Sequence, residues 1–282
     1  MRIAIEHQTR YCFDQPVWHG VKRLRLRPRN CAVQSVVDWD MQVEGGLIEA
    51  AYEDHNLNAT ALVSFGNGEG EITITCRGTV DTRDAAGVVG AHTGFMPLWL
   101  LSNHTELTAP GPKLRALASR FERHAGREDN LIGMLHDLSA AVADAVAYAP
   151  GHTSATTTAE QALVAGRGVC QDHAHVFIGA ARELGLPARY VSGYLLMPDR
   201  VAQDAGHGWA EVYVAGLGWL AFDVSNAICP NDLYVRLAVG ADYRDAAPVT
   251  SLSQGGGDAT LSVTLNVAAE QQIQQQAQQQ MM

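Results

Sequence analysis

Three reactive side chains, far apart in the chain, set the terms for any fold this sequence can take. Cys170 stands in Gly166-Arg-Gly-Val-Cys-Gln-Asp-His-Ala-His-Val-Phe-Ile-Gly-Ala-Ala-Arg182, His207 in Gly206-His-Gly-Trp-Ala-Glu211 and Asp223 in Gly218-Trp-Leu-Ala-Phe-Asp223. A thiol at a helix start, followed by an imidazole and a carboxylate on strand-like segments, is the layout of a nucleophilic cysteine enzyme. The chain must therefore bring one helix terminus against two strands, and the chemistry it points to is acyl transfer.

The reason lies in the thiol. A free cysteine titrates at about 8.5, and a helix N-terminus with a neighbouring imidazolium lowers that to roughly 3.5–7.5. Gly166 and Gly168 interrupt any preceding regular structure, and Ala174, Phe177 and Ala181 then recur at helical spacing, so Cys170 falls in the first turn. The second segment alternates: His207, Trp209, Glu211 and Tyr213 share one strand face, while Gly208, Ala210, Val212 and Val214 share the other. After Ala215-Gly-Leu-Gly218 the run Trp219-Leu-Ala-Phe-Asp-Val224 alternates again, which predicts a hairpin.

Opposed residues on antiparallel strands share a face, so Asp223 joins His207 only if it opposes an odd-numbered residue, most simply Trp209. A four-residue loop would set Asp223 against Ala210 and turn it away. The connection is thus expected to hold an odd number of unpaired residues, or a bulge. Were Asp223 misplaced, Glu211 would be the substitute carboxylate.

The stretch from Thr157 to Leu195, with Ala-Gly-Arg-Gly-Val-Cys-Gln-Asp and Leu-Gly-Leu-Pro-Ala-Arg-Tyr-Val-Ser-Gly-Tyr-Leu, resembles the core of bacterial transglutaminase-like proteins. The likeness continues through His207-Gly-Trp-Ala-Glu, Trp219 and Asp223 to Val235-Arg-Leu-Ala-Val-Gly-Ala-Asp-Tyr243. Upstream, Tyr11-Cys-Phe-Asp-Gln-Pro-Val and Leu24-Arg-Leu-Arg-Pro28 look like the β-rich N-terminal domain that accompanies this core. The resemblance implies Cys170 as nucleophile, His207 as general base and acid, and Asp223 as orienter of the ring. It also implies Tyr148 as an aromatic that lines the site or assists the Cys170 N–H at an oxyanion. Two departures stand out. Val224-Ser225 replaces the usual Pro-Thr, which leaves the carboxylate in place, and Tyr234 replaces an expected histidine, which points to altered substrate contacts.

Other readings compete for several residues. A cysteine beside alanines is more often a small buried hydrophobe than a nucleophile; Cys12, Cys31, Cys76 and Cys229 are read that way, or as surface residues. Asp172 and His173 beside Cys170, or His173 with His207, raise a metal-dependent hydrolase. The spacing lacks a second cysteine pair or a His-Glu-x-x-His run, so no metal and no cofactor are assigned. Asp172 suits the positive helix start. Trp209 and Trp219 are as readily ordinary strand aromatics as site residues, and Glu211 is expected to hydrogen-bond at the rim. The run Lys22-Arg-Leu-Arg-Leu-Arg-Pro-Arg29 reads as a strand with leucines inward and arginines solvated, and a net charge of −10 argues against nucleic acid as a partner.

A chain of 282 residues, 47% of them apolar, fills two ordinary cores. Strand patterns run from Arg2 to about Val80, where Ile3, Ile5, His7, Thr9 and Tyr11 alternate with polar residues. Beyond Pro112, Leu114, Leu117 and Phe121, and then Leu131, Leu135, Leu138, Val142 and Val146, recur at helical spacing. The expected fold is α+β: a sandwich-like all-β module over residues 1–105, then a papain-like or transglutaminase-like core over 106–250 in which the cysteine helix packs on an antiparallel sheet. A further strand lies within 251–268, its sheet undetermined, and 269–282 is a Gln-rich tail expected to be disordered or a frayed helix, and dispensable for catalysis.

No signal peptide or membrane span is visible, and the odd cysteine count suits a reducing, cytoplasmic compartment. The expected substrate is a peptide, a protein or a small amide, with the oligomeric state left open. Hydrolysis is favoured over amine transfer, because admitting an amine while excluding water needs a dedicated tunnel. A silent peptide-binding module is the third reading, disfavoured because all three reactive residues are present.

Overall fold

The computed structural model describes residues 1–66, 68, 70–125 and 130–270. All but the first two residues of the Gln-rich tail thus lie outside the described residues. The N-terminal strands form two sheets. In one, Arg2–Phe13 is central, flanked by Glu71–Thr82, which also pairs with Gln34–Glu44. In the other, Val17–Arg27 pairs with Ala59–Gly66, and that with Leu47–Glu53. Ile3, Ile5, Leu24, Val63, Ile72 and Ile74 meet between them in one buried core. The period of two in Arg2–Phe13 comes out as expected, with Ile3, Ile5, His7 and Thr9 inward.

The basic strand departs from its simple pattern. Lys22 shares the inward face with Leu24 and is fully buried, its Nζ lying 3.3 Å over the Tyr11 ring and 3.0 Å from Ser251 Oγ. Burial pushes its pKa down to about 8. A register shift between Leu24 and Arg27 turns Arg25 inward as well, where Nε donates to Asp54 Oδ2 at 2.9 Å.

The C-terminal chain returns to this module. Val249–Gly255 adds to the outer side of Val17–Arg27, and Ala259–Ala269 pairs along the whole of Arg2–Phe13 with Ile5 opposite Val267 and His7 opposite Leu265. The strand expected from Leu261, Val263, Leu265 and Val267 therefore belongs to the N-terminal sheet.

The core between them is a five-stranded antiparallel sheet, in spatial order Tyr234–Gly240, Ala188–Leu195, His207–Val214, Gly218–Phe222 and Val88–Gly90. Against it lies the cysteine helix, Cys170–Glu183, where Ala174, Phe177 and Ala181 pack with Ala210, Val212 and Phe222. Pro112–Ser119, with proline in its first turn, and Leu131–Ala145 cover that helix. Leu131, Met134, Leu135, Leu138 and Val142 make the inward stripe of the longer one. A short helix, Ala159–Ala165, was not anticipated, although its Thr158-x-x-Gln161 capping box is plain in the sequence. Among the described residues no helix is long and apolar enough to cross a membrane.

Two amides fasten the module to the sheet edge. Gln34 accepts from Arg236 N at 2.8 Å and donates to Arg236 O at 2.9 Å; Asn58 accepts from Val239 N and donates to Val239 O, both at 2.8 Å. Each mimics one ladder step on the outer side of Tyr234–Gly240. Tyr194 of the sheet enters the sandwich core and meets His7 Nδ1 at 2.8 Å.

If Ala259–Ala269 is integral to the fold, Leu265→Ala, at a fully buried position, lowers unfolding free energy by roughly 2–5 kcal/mol. Leu261→Ala, 54% exposed on the same strand, stays within about 0.5 kcal/mol. Urea unfolding of the two variants checks this.

Candidate active site

The approach to the cysteine is shaped by two glycines. Gly166 ends the preceding helix at φ +66°, the left-handed cap that glycine adopts without a steric penalty. At Gly168 a Cβ would come within 2.6 Å of the Asp172 side chain, so only glycine lets that carboxylate fold back. Asp172 Oδ2 accepts Val169 N at 2.8 Å and Thr153 Oγ1 at 2.7 Å, capping the helix that Cys170 opens. Cys170 is half-buried at this end.

The hairpin has the required parity. Val214 opposes Gly218 and Ala210 opposes Phe222, so the unpaired connection is Ala215–Leu217, three residues. The next position, Asp223, falls on the face of Trp209 and His207. There His207 Nε2 lies 2.6 Å from Asp223 Oδ2, with the carboxylate fully buried. Cys170 lies close enough to the same imidazole to favour its charged form. With Nε2 committed to the carboxylate, Nδ1 is the nitrogen left for sulfur.

Asp223 has further donors that sequence reasoning did not assign. Asn226 Nδ2 reaches Oδ2 at 2.6 Å, Asn226 N reaches Oδ1 at 3.3 Å, and Tyr234 Oη donates to Oδ2 at 2.7 Å. The tyrosine that stands in place of an expected histidine therefore supports the carboxylate from a buried position. The Asn226 contacts had a visible signal: in Asp223-Val-Ser-Asn226 an aspartate accepts from the backbone three residues on, as turn-initiating aspartates do. Ser225 Oγ lies 2.7 Å from His173 Nδ1, and His173 Nε2 lies 2.7 Å from the Val146 carbonyl. A carbonyl only accepts, so Nε2 carries the proton and Ser225 donates. His173 thus ties the turn after Asp223 to the cysteine helix, with both ring nitrogens engaged.

Trp209, buried to 1% exposure, stacks beneath His207 at 6.2 Å between ring centroids and meets Tyr234 edge-on at 5.4 Å. Tyr148 is 57% exposed at the mouth, near enough to Cys170 to feel its charge. Glu211 corrects its expected rim position. It is fully buried, with Arg189 Nε at 2.7 Å from Oε2 and Arg236 Nη2 at 3.0 Å from Oε1. Four residues along the strand from His207, its side chain points into the seam with the N-terminal module, where these two arginines hold it. Trp219 is likewise buried, under Arg189 at 3.9 Å. No His, Cys, Asp and Glu cluster with metal-binding geometry occurs among the described residues.

Burial works against charge on His207, but the Asp223 bond and the Cys170 thiol overcome it and push its pKa up to about 10. Burial also penalises the Asp223 carboxylate, and the His207, Tyr234 and Asn226 donors reverse that and hold it below the usual carboxylate range. These are two views of one ion pair. Since the folded His207 pKa exceeds the unfolded value of about 6.5, the pair's stabilisation is complete below that pH and is lost as pH rises through about 10. On the acid side it is present above about pH 3.9 and lost as Asp223 protonates. Asp223→Asn accordingly destabilises the protein more at pH 6 than at pH 10 in urea unfolding. Tyr234→Phe costs about 1.5–3 kcal/mol and raises the Asp223 pKa in an NMR titration.

Comparison with known proteins agrees with this architecture. Residues 116–224 match the model of the transglutaminase-like superfamily, and residues 3–81 that of the bacterial transglutaminase-like N-terminal region. An uncharacterized protein of Mycobacterium tuberculosis is 34% identical over 89% of this chain and 87% of its own length. One of Mycobacterium leprae is 24% identical over 94% of this chain and 98% of its own. Among solved structures, "a Putative Cysteine Protease from Cytophaga hutchinsonii" superposes with a TM-score of 0.67 at 21% identity, covering 96% of this chain and 91% of that one. The chain belongs to the transglutaminase-like superfamily, with the bacterial N-terminal region joined to its core.

Proposed function

We propose that the protein is a cysteine-dependent acyl-transfer enzyme that cleaves peptide or carboxamide bonds through Cys170, His207 and Asp223. The observation that carries this reading is an imidazole bonded to a buried carboxylate, with a cysteine at a helix start close enough to favour the charged ring. Cys170 passes its proton to His207 Nδ1 and its sulfur attacks the carbonyl carbon, the C=O π pair moving onto oxygen; that pair re-forms the C=O bond as the amine leaves. The backbone N–H of Cys170, in the first helical turn, faces the negative charge that develops there. His207 delivers the Nδ1 proton to the leaving amine as the C–N bond breaks, giving a thioester and free amine. Water then attacks the thioester while His207 takes its proton; the acid departs and the sulfur is restored.

Asp223 keeps the ring in the orientation and tautomer that make this exchange possible. Its separate anchorage by Asn226 and Tyr234 fits that positioning role. Hydrolysis is placed ahead of amine transfer because Cys170 is itself only half-buried, which gives water access to a thioester there.

Cys170→Ala is expected to reduce turnover of a responsive peptide amide at least ~10³-fold with the fold intact by circular dichroism. Mass spectrometry after rapid acid quench should find the acyl group on Cys170. Activity that survives in the variant, or that survives alkylation of Cys170, refutes the reading. Release of free acid against formation of a new amide, measured with an added primary amine, separates hydrolysis from transfer.

A further inference from the structure

On the seam between the N-terminal module and the edge of the catalytic sheet lies a cavity of about 430 Å³, apart from Cys170, His207 and Asp223. Arg29, Arg189 and Arg236 line it, and among the described lining residues there is no Asp or Glu. That is an unexpected concentration of positive charge in a chain of net charge −10.

The charge is only partly compensated. Glu211, behind the wall, serves two guanidiniums at once, Arg189 and Arg236. Arg29 turns one nitrogen to the Leu57 carbonyl and another toward Glu53 at 3.2 Å. Arg189 spends Nε on Glu211 and lays its guanidinium over the Trp219 ring at 3.9 Å. Arg236 Nε is buried without a partner. Two arginines on one carboxylate leave one positive charge in excess, and buried donors without acceptors are unusual enough to require an explanation. Burial lowers the Arg189 pKa to about 10, which still leaves it a cation at neutral pH.

We propose that this cavity binds a small anionic molecule bearing carboxylate or phosphate groups, held by the guanidiniums of Arg189, Arg236 and Arg29 that line it. Planar guanidiniums match both groups in bidentate fashion, and the volume falls in the range that takes a small ligand rather than a polymer. Cys31, exposed and in the same lining, is close enough to Arg189 to interact with it electrostatically. It serves as a built-in reporter of occupancy.

The test measures the rate of Cys31 alkylation by iodoacetamide in the full-length protein, read by peptide mass spectrometry. Inorganic pyrophosphate and citrate are the phosphate and carboxylate probes, and sodium chloride at matched ionic strength is the control. At least one probe is expected to slow labelling of Cys31 about fivefold or more at saturation, and calorimetry should give a matching Kd. The probe that binds names the anion. Arg29→Ala should weaken that Kd about tenfold, and Cys170→Ala should leave it unchanged, so the result stands independently of the proposed catalysis. Absence of protection by both probes in the unmodified protein, or equal protection by chloride, overturns the proposal.

Discussion

Side-chain parity across one hairpin decides whether this chain has a site at all. Three residues, Ala215–Leu217, separate the paired strands, and that odd number carries Asp223 onto the face of His207. One residue more would send the carboxylate into the apolar layer beneath the cysteine helix, among Ala210, Val212 and Phe222. A buried carboxylate without a partner there would cost several kcal/mol, so the register needed for the site is also the register the core enforces. Structure and site are selected by the same constraint.

The carboxylate itself is a liability that the surrounding turn removes. Fully buried, Asp223 collects the imidazole, the Asn226 side chain and backbone, and the Tyr234 hydroxyl, and the two Asn226 donors come from the turn itself. The chain reverses at once after Asp223, which pairs with Ile228 on both backbone groups. That reversal is what points Asn226 back at the acid. On the other side, Ser225 and His173 bolt the turn to the cysteine helix, so the positions of thiol, ring and carboxylate are linked through hydrogen bonds as well as through packing.

The parts legible in the sequence are those governed by local periodicity. The cysteine helix, its glycine approach, the histidine strand and the parity demanded of the hairpin all follow from alternation and spacing, and the inward set of Arg2–Phe13 does too. What escaped was set by distant partners. Nothing near Glu211 in sequence says that Arg189 and Arg236 will surround it, so a carboxylate on the histidine face was placed at the rim. Arg25 reads as solvated because a charge is normally solvated; Asp54 permits its burial, as an aromatic wall permits that of Lys22. The strand Ala259–Ala269 was visible as a strand, yet its sheet depended on which edge of Arg2–Phe13 remained open. Ala159–Ala165 and the Asn226 contacts to Asp223 went unread despite local signals, a capping box and an aspartate-initiated turn.

The two modules are bound more closely than their separate patterns suggest. Strand Ala188–Leu195 places Tyr190 in the helix-side core and Tyr194 in the sandwich core, so a single strand is shared by both. The outer strand, Tyr234–Gly240, presents backbone groups that Gln34 and Asn58 take up one step at a time, blunting an edge that would otherwise pair with another chain. Side-chain amides give fewer and shorter pairings than a strand would, and they leave room between the two modules. The guanidiniums of Arg189 and Arg236 line that space, on the strands next to and beyond the one carrying His207. Glu211 joins both arginines to the strand that carries His207. The module that looks like an appendage in sequence thus forms one wall of a cavity whose opposite wall is the sheet that carries His207.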